Sequence, residues 1–112
     1  MKKFGYIDGQ VLLYRGNYLI DNNITNIKDL LFPIRGYTSA TIPISGLPSG
    51  ETGGAGAVEV KVNYRADGGI QNLIMTWTKT SSGGTWQCTQ NCADGLPPTA
   101  SKWTDWKEIT PG

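Results

Sequence analysis

Histidine is absent from this 112-residue chain. That removes the commonest general base and the commonest metal ligand together. There are two cysteines, Cys88 and Cys92, too few for a four-cysteine zinc site, and no histidine to complete a mixed one. A Cys–His nucleophile cannot be assembled either. Charge is sparse and balanced, with ten basic residues against nine acidic ones, 17% of the chain in all. Such a balance carries no footprint for nucleic acid. No long apolar run follows Lys2 and Lys3, so neither a signal peptide nor a membrane span is read, and no membrane insertion is expected. The carboxylates are scattered, and no serine sits in a Gly-x-Ser-x-Gly elbow. Gly53-Gly54-Ala55-Gly56 lacks the Lys-Ser/Thr of a phosphate loop and precedes a strand. The residues argue against an enzyme and imply no cofactor and no metal.

What the chain does have is glycine, threonine, serine, asparagine and four tryptophans. The length fits one ordinary domain with little margin for a self-sufficient core. Alternation is cleanest over Val58–Arg65, where Val58, Val60, Val62 and Tyr64 oppose Glu59, Lys61, Asn63 and Arg65. This is the pattern of a half-buried antiparallel strand. Ala66-Asp67-Gly68-Gly69 makes the turn into a second strand over Ile70–Lys79, and Ser81-Ser82-Gly83-Gly84 the turn into a third over Thr85–Gln90. Apolar residues on both faces of Ile70–Lys79 suit a central strand or one that meets a partner subunit. Nearer the start, Asp8-Gly9 is a hairpin signal. Asp21-Asn22-Asn23 supplies N-cap residues for a short helix over Ile24–Leu31, ended by Pro33. Residues 45–56 and 91–100 read as loops. The expected fold is mainly β: a small antiparallel meander or sandwich-like knob with one short helix. It divides into an N-terminal attachment hairpin plus helix over 1–33 and a β-rich knob over 34–112.

The chain closes on Ser101-Lys102-Trp103-Thr104-Asp105-Trp106-Lys107-Glu108-Ile109, a heavy apolar stretch where most chains are polar. Trp103 and Trp106 share one side only if a bulge or helical turn separates them; otherwise one packs inward and the other outward or towards a partner. Trp103, Trp106 and Ile109 are the expected structural anchors. Trp77, Trp86 and Tyr37 are the candidate receptor or partner contacts, since aromatic rings serve sugars and protein hot spots alike. Cys88 and Cys92 are read either as a bridge closing a tight loop or as two free thiols, the latter being the more ordinary state.

Taken in order, Ile34-Arg35-Gly36-Tyr37-Thr38, the aliphatic strand Val58–Val62, the segment Gln71–Trp77 and the closing Trp103-Thr104-Asp105-Trp106-Lys107-Glu108-Ile109 resemble the pyocin knob domain of bacteriophage and pyocin tail fibres. The resemblance covers about residues 34–110. It implies a non-enzymatic virion tail protein, a homo-oligomer and, as is common in such fibres, a trimer, beside neighbouring virion tail proteins. It implies a role in assembly and host-surface attachment, with a host cell-surface glycan as a partner. Such particles leave by lysis, which needs no signal peptide. Two alternatives stand beside it: a purely structural collar, decoration or fibre-capping protein, and a free carbohydrate-binding module. Exposed coplanar aromatics would favour the glycan-binding readings, and buried ones the structural reading.

Overall fold

Turn chemistry sets the layout of the computed structural model, which describes residues 4–7, 11–14, 17–39, 41–42, 44–48 and 54–110, the first two segments and Thr110 by backbone alone. Gly68 and Gly83 take positive φ in the two turns expected from their sequences, and Gly95 does so beyond the third of the long strands. At the first turn Arg65 N–H donates to Gly69 O at 2.6 Å, and Asp67 Oδ1 accepts from Gly69 N–H at 2.9 Å. That is the side-chain-to-backbone bond for which aspartate is favoured in turns.

These turns fold the chain into a five-stranded antiparallel sheet in sequence order. Its strands are β3 (Ile34–Thr38), β4 (Gly56–Tyr64), β5 (Ile70–Lys79), β6 (Thr85–Asn91) and β7 (Lys107–Thr110). Two earlier strands, β1 (Phe4–Ile7) and β2 (Val11–Tyr14), pair only with each other. The Asp8-Gly9 signal lies between them and outside the described residues, as do residues 49–53 of the long loop. The protein is thus mainly β, with one short helix and two 3₁₀ turns among the described residues.

Register sets Val58, Trp77 and Trp86 in one row across β4, β5 and β6, and Val60, Met75 and Cys88 in another. These side chains face one way and are covered by everything that is not sheet. Leu19, Ile27, Leu30, Ile44 and Trp103 join Val58, Val60, Leu73, Met75 and Trp77 in one buried cluster. Core packing therefore runs across Pro33: the segment before it supplies three members of that cluster. The opposite side of the sheet carries Arg35, Glu59, Lys61, Thr76 and Gln87, and none of these is buried.

The helix expected over Ile24–Leu31 is not formed. A single turn, α1 (Tyr18–Asp21), precedes it, capped by Asn17 Oδ1 accepting from Leu19 N–H at 3.2 Å. A 3₁₀ turn follows over Ile27–Asp29, capped by Asn26. Between them Asn26 is extended and bridges to Ser45, with Ser45 N–H donating to Thr25 O at 2.8 Å and Ile27 N–H to Ser45 O at 3.0 Å. The pairing with Ser45 sets the extended route, and local chemistry permits it. Ile24, Thr25 and Ile27 are β-branched, and Asn26 competes for backbone donors, so each resists helix. Ile27 and Leu30 still reach the core as the apolar spacing required.

Candidate functional site

The closing stretch is built as a clamp. A 3₁₀ turn over Ala100–Lys102 leads into Trp103, which is 8% exposed. Its indole N–H donates to Lys28 O at 2.9 Å. The indole N–H of Trp106 donates to Gly46 O at 2.6 Å. Lys28 then binds back: its ammonium lies 3.3 Å from Thr104 O and 5.2 Å from the centre of the Trp106 ring. Both tryptophans thus grip the covering layer, Trp103 through the 3₁₀ turn over Ile27–Asp29 and Trp106 through the segment at Gly46. The two rings share a side because the chain between β6 and β7 is not a strand. Ile109, expected as the third anchor, is 48% exposed on the edge strand and adds little to the packing.

Of the three candidate contacts, Trp77 requires correction. It has no exposed surface, and its indole N–H donates to Thr38 Oγ1 at 2.9 Å. Thr38 Oγ1 in turn lies 2.9 Å from Gly54 O. Trp77 sits on the centre strand facing the covering layer, where a fully apolar environment is reached only because that N–H is satisfied. Trp86 is half-buried and tilts against Trp77, with ring centres 5.5 Å apart. Tyr37 is the accessible member at 41%, its hydroxyl 3.0 Å from Thr80 Oγ1. Trp77 and Trp86 are neighbours, Tyr37 stands on the outward side of the edge strand, and no coplanar platform arises from the three.

Beside Tyr37 lies a shallow apolar cleft lined by Leu19, Ile20, Ile24, Ile42 and Ile44. Ile20 and Ile42 are nearly half exposed there. Gly36 makes the cleft wall possible: a Cβ at that position would meet the Leu19 side chain at 3.0 Å.

The thiols are free and buried. Cys88 and Cys92 lie four residues apart on an extended segment, roughly 13 Å along the strand direction, whereas a disulfide needs Cα atoms about 4.4–6.8 Å apart. The tight loop that a bridge presupposes is replaced by the end of β6, where Cys92 N–H continues the ladder to Gln71 O at 2.9 Å. Burial pushes the Cys88 thiol up to about 11, against the opposing pull of the nearby Lys28 ammonium. No group of three potential ligands from His, Cys, Asp or Glu comes together among the described residues.

Two features escaped the sequence. Gln90 is 1% exposed and uses both ends of its amide on Thr99: Nε2 donates to Thr99 O at 3.1 Å, and Oε1 accepts from Thr99 N–H at 3.2 Å. It mimics a strand partner and closes the base of the 92–99 loop, whose other clip is Lys102 on Asp94 at 3.3 Å. Lys28 is the second. Its position on a nominal helix hid a role that depends on residues 75 positions away. No protein-family model, no curated protein and no solved structure matches this chain.

Proposed function

We propose that this chain is a non-enzymatic knob of a bacteriophage tail fibre or baseplate-associated structure, assembled as a homotrimer and acting in assembly and host-surface attachment. The observation that carries the reading is the fate of the segments that resemble the pyocin knob. Gly36, the Val58–Val62 strand, Gln71–Trp77 and Trp103–Trp106 all belong to one packed unit, and the closing tryptophans lock its covering layer. In this reading the β1–β2 ribbon, which shares no pairing with the main sheet, is the docking element within residues 1–33. Neighbouring tail proteins are its partners, and the virion is its location. The absence of catalysis in the proposal is supported by buried thiols, one of them held neutral by its surroundings.

The alternative of a purely structural virion component is favoured over a free carbohydrate-binding module by one observation. Trp77 and Trp103 are buried, and Trp86 and Trp106 are half-buried, so no tryptophan is an open sugar platform. Light scattering on the intact protein and a whole-cell binding assay test the proposal together. A trimer mass with saturable binding to cells is the expected result. A monomer that binds no cells overturns the proposal, and a trimer that binds none selects the structural alternative.

A further inference from the structure

The outward side of the five-stranded sheet has no described segment packed on it, and its chemistry is uneven. Register aligns Arg35, Glu59, Thr76, Gln87 and Lys107 in one row across all five strands. At about 4.8 Å per strand the row spans roughly 19 Å. Cations stand at both ends, and Lys61 adds a third one step along β4. Glu59 is the single carboxylate on this side, held 2.8 Å from Arg35 Nε and 3.9 Å from Lys61 Nζ. Three cations less one carboxylate leave +2 here, while the whole chain carries ten less nine, +1. In the middle of the row Thr76 and Gln87 are half-buried neighbours whose side chains make no hydrogen bond within the described residues.

We infer that this face binds an acidic polysaccharide, its carboxylates meeting Arg35, Lys61 and Lys107 and its hydroxyls meeting Thr76 and Gln87. Such a polymer sets carboxylates among hydroxyl-rich rings, and the row sets cations at its two ends with the neutral hydrogen-bonding Thr76 and Gln87 between them. Nucleic acid presents one charge per about 1.7 Å of duplex, far denser than three cations over this width. A second copy of the chain would need an apolar interface core. Here the outward positions of β3–β6 are mostly threonine, asparagine and charged residues, with Ile74 near the centre and Tyr37 at the edge as the large apolar side chains, too far apart to form such a core. Anionic lipid surfaces recruit dense basic clusters. The inference deepens the attachment reading and rests on it for the setting in which such a polymer is met.

The test uses isotope-labelled, full-length protein titrated with polygalacturonate, followed by amide chemical shifts at low and high salt. Shifts confined to the outward positions of β3–β7 and lost at high salt are expected. The double variant Lys61→Gln/Lys107→Gln leaves the Arg35–Glu59 pair intact and brings the face to zero net charge. It should retain the melting temperature and weaken binding roughly tenfold. Equal binding to neutral dextran, unchanged binding by the double variant, or preference for anionic vesicles or single-stranded DNA overturns the inference. If the double variant proves unstable, Lys107→Gln alone carries the same test with a smaller loss. Whole-cell binding separates the two readings. Cells bound equally by wild type and double variant reject this face but keep the attachment role. Polygalacturonate bound by a protein that ignores cells does the reverse.

Discussion

Replacing Trp103 by alanine removes the larger grip of the clamp. The side chain is 8% exposed, and burying an aromatic of this size is worth about 3–5 kcal/mol when it is cut to alanine. The loss includes its hydrogen bond to Lys28 O, whose net worth is about 1 kcal/mol. An expected loss of about 4 kcal/mol compares with a total stability of about 5–15 kcal/mol for domains of ordinary size. At about 4 °C per kcal/mol for a chain of this length, the melting temperature falls by about 16 °C. Trp103→Phe keeps most of the ring and loses the bond, so about 1–2 kcal/mol is expected. Trp106→Ala gives up a half-buried ring, the bond to Gly46 O and the Lys28 contact, about 2 kcal/mol in sum. Urea and thermal denaturation followed by circular dichroism read all three, at one fixed protein concentration so that the proposed subunit association would not shift the comparison. The reasoning fails if Trp103→Ala melts like the wild type, or if Trp106→Ala costs more than Trp103→Ala.

Gln90→Ala leaves two backbone groups of Thr99 without their partner, so a loss of about 1–3 kcal/mol is expected, with amide exchange over 93–100 quickened while the sheet stays protected; protection unchanged in that loop would refute the clip. Gly56→Ala would place a methyl 2.5 Å from the Trp77 ring and 2.6 Å from Thr78 O, so about 1–3 kcal/mol of overpacking is expected by urea titration, and a neutral result would contradict the described approach. The Cys88 thiol is raised from 9.0 to about 11, so the fold favours the protonated form; its contribution is complete below pH 9 and is lost as pH climbs through about 11. Native protein should therefore resist thiol reagents at neutral pH and react at Cys88 only after denaturant, and prompt native labelling of Cys88 would reject the burial.

Strand positions were legible because alternation and turn residues act over a few neighbours. Val58–Tyr64, Asp67-Gly68 and Gly83-Gly84 each state their own geometry, and the long strands formed where their patterns lay. The helix over Ile24–Leu31 was misread because spacing reports which residues go inside, while the backbone route is decided by whatever pairs with it. Ser45, nineteen residues beyond Asn26, takes that part, and nothing near Asn26 announces it. Trp77 is a candidate contact by residue type. Its own alternation with Leu73 and Met75 already pointed inward, and the partner that lets an indole N–H be buried, Thr38, comes from another strand. Gln90 was illegible for the same reason: a buried amide is acceptable only when both ends are met, and Thr99 meets them across a loop.

These misreadings share a direction. Three of the four indoles are spent on the interior: Trp77, offered as a contact, bonds Thr38 within the sheet, while the expected anchors Trp103 and Trp106 hold the covering layer through Lys28 and Gly46. A domain of this size has few large side chains to spare, and with two indoles buried and two half-buried, surface contact would fall to other chemistry. Among the described residues that chemistry lies in two places: the apolar cleft beside Tyr37 and the polar, net-positive face of the sheet. The cleft borders the short edge strand β3, whose Tyr37 carbonyl is already occupied by the Asn17 side chain at 2.9 Å. An incoming strand therefore finds one of the edge acceptors taken, which disfavours strand addition there. The sheet face has no such obstruction, and its central donors are unused. In the proposed attachment role, recognition is accordingly expected to be salt-sensitive and carried by charged and polar side chains on rigid strands, with the tryptophans felt only through stability.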